Sequence, residues 1–227
     1  MSWTKDVWAA SAKIFEGIKE LEFIKELADG SLDPSRFDRY IAQDEVYLGN
    51  YGRQMFLLAD MMTDPAQQEM FRLFAQTGLD GEKAMHELLI ARFGIDTEVT
   101  SSVVTSAYNA HTQAALDSGS KEVALAAMLP CMWIYNEVGQ YIYSIASMDG
   151  NPYKEWVMEY QNEEFTAGVN AVLAIADEWA AASDSDTRDK MTKAFLEAAL
   201  FEYAFWDYGY NGEAKDYSYV TRLEDWL

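Results

Sequence analysis

The feature of this chain that most restricts its fold is a helical period that runs almost without interruption. Only 4 prolines and 13 glycines stand in 227 residues to break it. Trp3, Val7, Ala10, Ile14, Ile18 and Leu21 recur at three- and four-residue steps, the stripe of an amphipathic helix. Asp29-Gly30-Ser31 is a stop signal, so the first helix is expected to run to that point. Asp33-Pro34-Ser35 starts a second helix that reaches about Met62, its proline at an early position where the missing N–H costs nothing. Thr63-Asp64-Pro65 repeats the pattern and opens a third, which ends at Phe93-Gly94. Further helices are expected over about 100–117, 120–147, 152–181 and 184–210, with Asn162 a candidate break inside the third of these. No stretch alternates polar and apolar residues between turn signals, so no strand is expected. The fold class is all-α: seven or eight helices of about 15–30 residues in one bundle-like domain spanning residues 1–227.

Charge narrows the partners. The chain carries 17 Lys and Arg against 38 Asp and Glu, a formal net charge of −21. Such a surface repels phosphate backbones and anionic lipid, which argues against nucleic acid and membrane surfaces. No apolar run approaches the roughly 20 residues of a membrane span. The N-terminus has no basic segment followed by an apolar one, so no signal peptide is expected. A single, unpaired cysteine fits a reducing cytoplasm.

That cysteine, Cys131, sits in Leu129-Pro130-Cys131-Met132-Trp133-Ile134-Tyr135. It has no internal disulfide partner and cannot build a multi-thiolate metal site. It is either an inert buried thiol or a nucleophile. Four other patches bear on the choice. Tyr40, Asp44, Tyr47 and Tyr51 share one face of the second helix. That face is either turned inward or a solvated acid among interface tyrosines. Glu202, Phe205, Trp206 and Gly209 share a face of the last long helix. A carboxylate among large rings loses hydration, its pKa rises, and it donates a proton near neutral pH. The alternative is an aromatic core stripe whose glutamate points to solvent. Tyr135 stands four residues after Cys131, Tyr108 three before His111, and Tyr153, Trp156 and Tyr160 form one more aromatic face. A thiol, two carboxylates and several phenols from separate helices suit a flat, polar, aromatic ring. Phenols and Phe would sandwich it, carboxylates would bond its amidine edge, and the thiol would attack an electrophilic ring carbon.

Four blocks then carry a resemblance. They are Tyr40-Ile41-x-Gln43-Asp44-xx-Tyr47-Leu48, Leu129-Pro130-Cys131-x-Trp133-x-Tyr135-xxx-Gly139, Asn151-Pro152-Tyr153-xx-Trp156-xxx-Tyr160 and Phe201-Glu202-Tyr203-x-Phe205-Trp206. In order and spacing the chain resembles the TenA family, the thiaminase II or aminopyrimidine aminohydrolase enzymes. The resemblance implies a haem-oxygenase-like all-α fold, a homotetramer and no cofactor. It implies hydrolysis of 4-amino-5-aminomethyl-2-methylpyrimidine to the hydroxymethyl pyrimidine, with cleavage of thiamin in many members. By position, Cys131 resembles the nucleophile, Glu202 the acid/base at a ring nitrogen and Asp44 the anchor of the aminopyrimidine. Tyr47, Tyr108, Tyr135, Tyr160 and Phe205 resemble the residues that pack and hydrogen-bond the ring. The chain departs from the family at Leu21-Glu22-Phe23, where members often read His-Pro-Phe; Cys131 puts it in the cysteine-containing branch.

No Lys, Arg or His adjoins Cys131 in sequence, so its proton is expected to leave to a carboxylate in the site or to the substrate. Two rival readings use the same frame. One is a metal-dependent oxidase with a haem-oxygenase-like fold. The chain has two histidines, His86 and His111, and none before residue 86, where a proximal haem ligand on the first helix would stand. Glu82 and His86 at i, i+4, with Tyr108 and His111, are the metal ligands that remain, without the paired Glu-x-x-His of a di-iron bundle. The other rival is a regulator that binds a pyrimidine without chemistry.

Overall fold

The computed structural model describes residues 2–159 and 161–226. Among these residues there are nine α-helices and no strand. They are α1 (Trp3–Lys19), α2 (Glu22–Asp29), α3 (Pro34–Met61), α4 (Pro65–Phe93), α5 (Val103–Asp117), α6 (Lys121–Ile145), α7 (Lys154–Glu159), α8 (Glu163–Ala182) and α9 (Ser185–Asn211). Short 3₁₀ turns follow at Gly212–Ala214, Ser218–Thr221 and Leu223–Asp225.

The helix starts are where the capping chemistry puts them. Asp33 accepts from the Ser35 N–H and Asp64 from those of Ala66 and Gln67, each just ahead of a proline. Asn162 accepts from Glu164 and Phe165 and opens α8, so the 152–181 segment is two helices divided at that residue. Such side-chain acceptors satisfy N–H groups that have no partner within the helix.

The first helix is a correction. It ends at Lys19, and an extended Leu21 separates it from α2. No proline or glycine marks the bend. It lets α2 leave the line of α1 and bury Phe23, Ile24 and Leu27 against α6 and α9. At the far end Gly30 takes φ +82°, and the Asn151 side chain donates to the open carbonyls of Leu27 and Ala28.

The core sits along α6 and α9, which run against each other and are wrapped by α1, α3, α5 and α8. Residues Ala124 to Pro130 of α6 are all buried. Pro130 removes an N–H from the helix one residue before Cys131. On α9, Trp206 is fully buried and lies between the rings of Tyr40 and Tyr135, each 4.9 Å from it. Gly209 allows this closeness: a Cβ there would stand 3.0 Å from Phe23 and 3.2 Å from Tyr40.

The C-terminal stretch folds back on α9. Tyr208 and Tyr217 are buried, and Tyr210, Tyr219 and Trp226 are half-buried. Trp226 packs on Tyr203 at 4.7 Å. Asp207, buried on α9, accepts from Lys215 and Tyr219. A buried carboxylate needs such donors, and they order the segment that brings them.

No helix among the described residues is long and apolar enough to cross a membrane.

Candidate active site

The face of α3 that carries Tyr40, Asp44, Tyr47 and Tyr51 points inward, and all four residues are buried. Each is held differently. Tyr40 donates to the Tyr135 hydroxyl at 3.0 Å. Tyr51 donates to the Met128 carbonyl at 2.9 Å, one turn before Cys131. The Tyr47 hydroxyl faces the Cys131 thiol, and its ring stacks on Tyr108 at 4.8 Å and lies 5.8 Å from Phe205.

Glu202 also turns inward and is 1% exposed. Tyr108 on α5 donates to its Oε1 at 2.5 Å. Burial pushes the Glu202 carboxyl up to about 8; the Tyr108 bond opposes that rise and the nearby Asp44 adds to it. At neutral pH this glutamate therefore holds a proton. Cys131 is partly exposed, and it lines a cavity. Burial raises the thiol well above its ordinary range. Glu202, Asp44 and Glu82 raise it further, while the Tyr47 hydroxyl works the other way. The free site thus keeps both its thiol and its glutamate protonated.

The cavity is lined by Asp44, Tyr51, Glu82, Cys131, Tyr135 and Phe165, among others. It has about 50 Å³ open to water centres. That is several times the roughly 10–15 Å³ one water requires. A second chamber of about 130 Å³ adjoins it and shares Phe74, Gly78, Glu82 and Phe165. Glu202, Tyr47, Tyr108 and Phe205 are outside the cavity lining. They are joined to it through the contacts of Tyr47 and Cys131.

Of the residues expected at the site, Asp44, Cys131 and Tyr135 reach the cavity directly. Glu202, Tyr47, Tyr108 and Phe205 build the wall behind them. Tyr160 lies outside the described residues. Sequence reasoning left Tyr51 out of the site although it shares the Asp44 face. It assigned Glu82 and His86 only to a metal reading. His86 is fully buried, with Nε2 3.2 Å from Asp44 Oδ2 and Nδ1 against Glu45 Oε1. The i, i+4 spacing of Glu82 and His86 was the available signal. A residue pair on one helix does not reveal the carboxylates that another helix brings to it.

Asp44, Glu82 and His86 have ligand atoms within 4.8 Å of one another. Glu45 engages Nδ1 of His86, while Nε2 stands 3.2 Å from Asp44 Oδ2 with no hydrogen bond. His111, the other member of the metal reading, is elsewhere. Its Nε2 is 3.0 Å from the Ala194 carbonyl, and its ring packs on Phe201.

Known proteins share this architecture. A TenA homologue from P. horikoshii superposes with a TM-score of 0.83 at 25% identity, over 93% of this chain and 100% of that one. A protein from Shewanella denitrificans described as having a heme oxygenase-like fold superposes at 0.67 with 14% identity, over 92% of each chain. The fold is thus of the haem-oxygenase-like helical class. Within that class the chain belongs to the TENA/THI-4/PQQC family, whose model matches residues 8–212. The TenA resemblance seen in the sequence is borne out.

Two relatives indicate the range of contexts. The aminopyrimidine aminohydrolase of Halalkalibacterium halodurans is 29% identical over 96% of this chain and 100% of its own. The thiamine biosynthesis multifunctional protein ThiED of Corynebacterium glutamicum is 33% identical over 90% of this chain. The chain spans only 26% of ThiED's length.

Proposed function

We propose that this protein is a hydrolase of aminopyrimidines in thiamin salvage. It converts 4-amino-5-aminomethyl-2-methylpyrimidine and water to the hydroxymethyl pyrimidine and ammonia, and it also cleaves thiamin at the same methylene. The observation that carries this reading is the protonated, buried Glu202 beside a thiol that faces a small cavity. The full-length match to proteins named aminopyrimidine aminohydrolase supports it.

Asp44 anchors the amidine edge of the ring and Tyr135 packs it at the cavity wall, while Tyr47, Tyr108 and Phe205, behind that wall in the free site, and Tyr160 pack and hydrogen-bond it once the ring displaces the lining. Glu202 gives its proton to a ring nitrogen, which makes the ring more electrophilic. Cys131 sulfur forms a bond to a ring carbon as the thiol proton passes to the departing amine. The ring electrons expel that amine as ammonia, leaving an exocyclic methylene. Water adds its oxygen there and returns a proton to sulfur as the C–S bond breaks. The ring nitrogen hands its proton back to Glu202, so both groups end as they began. Acid help of this kind is worth about 10²–10⁴-fold. The raised thiol explains why the free site holds no ready thiolate. The proton leaves only when a base receives it: the departing amine of the aminomethyl pyrimidine or, with thiamin, whose thiazole departs without taking a proton, a carboxylate of the site.

The test is incubation of wild type, Cys131→Ser and Glu202→Gln with the aminomethyl pyrimidine and with thiamin, following ammonia and the hydroxymethyl product. Wild type is expected to consume the aminomethyl pyrimidine faster than thiamin. Near-wild-type turnover by the serine variant would remove the nucleophile role.

A homotetramer, implied by the family resemblance, belongs to the same proposal, and light scattering would test it by mass. The expected compartment is the cytoplasm.

A further inference from the structure

We propose that His86 is a positioning residue that fixes Asp44 as a hydrogen-bond acceptor and thereby selects 4-aminopyrimidines over 4-oxopyrimidines. This inference rests on the substrate class proposed above and extends it to the group that reads the ring's edge.

The geometry is a bridge between two helices. Asp44 and Glu45 are neighbours on α3, and their side chains diverge by about 100° around the helix. His86 on α4 fits between them. Its Nε2 lies 3.2 Å from Asp44 Oδ2, within ion-pair reach though off the line of a hydrogen bond, and its Nδ1 meets Glu45 Oε1. The imidazole itself is fully buried and does not line the cavity. Asp44 does line it. No lysine or arginine pairs with Asp44 among the described residues. His86 therefore acts on the site through the carboxylates in front of it, Asp44 within ion-pair reach and Glu82 beside it.

The charges that face the ring are Asp44 and Glu45 from α3 and Glu82 from its own helix. Burial works against a charged imidazole, but these three carboxylates outweigh it and push His86 up to about 9. At neutral pH both ring nitrogens carry protons. Each has a carboxylate to meet, and the ring has no acceptor to offer.

The consequence falls on Asp44. Its Oδ2 faces the charged imidazole at 3.2 Å, which leaves Oδ1 for a ligand. A ligand atom at that place must donate. A 4-amino group presents N–H there and a neutral ring nitrogen beside it. The 4-oxo form reverses the two and presents a carbonyl oxygen to a carboxylate. A buried site built around one donor rejects an analogue without it by about 10⁴–10⁵ at most. The packed bundle keeps Asp44 from turning away, because His86 ties it to a second helix.

The experiment compares binding of 4-amino-5-hydroxymethyl-2-methylpyrimidine and its 4-oxo counterpart by calorimetry in wild type, His86→Gln and His86→Ala. Wild type is expected to prefer the amino form by at least about 100-fold. His86→Ala brings that ratio to within a few-fold, and His86→Gln, which keeps a donor without the charge, falls between. With the aminomethyl substrate, the rise in KM exceeds the fall in kcat. A ratio unchanged in His86→Ala would overturn the inference and leave the substrate reading standing. A wild type that binds both rings equally would overturn both.

A second measurement does not depend on the variants folding. The chain has only two histidines, and His111→Gln assigns their signals. The ¹⁵N shifts of His86 in the intact protein are expected to show both nitrogens protonated at pH 7. A neutral tautomer at that pH would overturn the proposal.

Discussion

Tyr108 donates a 2.5 Å hydrogen bond to Glu202 inside the bundle, and the two residues come from helices that meet only in the folded chain. The bond favours the ionised glutamate, yet burial wins and the carboxyl stays protonated to about 8.

This balance fixes a pH limb. If Glu202 is the acid, kcat/KM for the aminomethyl pyrimidine falls as pH rises through about 8. Tyr108→Phe removes the one contact that lowers the group and moves the limb to higher pH. Glu202→Gln lowers the rate by about 10²–10⁴-fold. A pH–rate profile of the three proteins decides the matter, and a limb that stays in place in Tyr108→Phe contradicts the assignment.

Cys131 should alkylate slowly. Burial and the surrounding carboxylates hold the thiol far above its ordinary range, so little thiolate exists at neutral pH. The rate with iodoacetamide is expected to climb with pH past 9 without a plateau. Cys131→Ser is expected to lose about two orders of magnitude or more in turnover while keeping its melting temperature. Fast labelling at pH 7 would show a thiolate already formed.

Stability should fall from neutral to alkaline pH. Glu202 keeps a proton up to about 8 in the native protein, whereas the unfolded carboxyl releases it near 4.5. His86 keeps its extra proton to about 9, against 6.5 when unfolded. In both windows the native state binds more protons than the unfolded state. Each contribution is therefore complete below the unfolded pKa and lost as pH rises through the folded one. The slope is at most ~1.4 kcal/mol per pH unit for each proton. Urea melts between pH 6.5 and 9 should show the decline, and His86→Gln should flatten its alkaline part.

The cavity wall has a point where one methyl group matters. A Cβ on Gly168 of α8 would overlap the ring of Phe74. Phe74 stacks on Phe165 at 6.0 Å, and both line the cavity. Gly168→Ala is expected to push Phe74 out of place, to raise KM several-fold, and to destabilise the protein by about 1–3 kcal/mol. Gly49→Ala has open space around its Cβ and serves as the control. Thermal melts and steady-state kinetics on the pair test this.

The sequence alone determined the helical class, the capped starts of α3, α4 and α8, and the faces that carry Asp44, Tyr47 and Glu202. These follow from period and local capping, which act within one or two turns. It also held the four blocks by which the family can be recognised. It did not reveal the bend at Leu21 or the return of the tail onto Asp207. Both are set by what packs against them, and neither has a residue type that marks it. Nor did it settle whether Glu202 looked out to water or in to Tyr108, because that choice depends on a partner 94 residues away. Only the tertiary structure decided that His86 stands between Asp44 and Glu45. Contacts between helices 41 and 42 positions apart are fixed by how whole faces dock, and helical spacing on one segment carries no record of its neighbour.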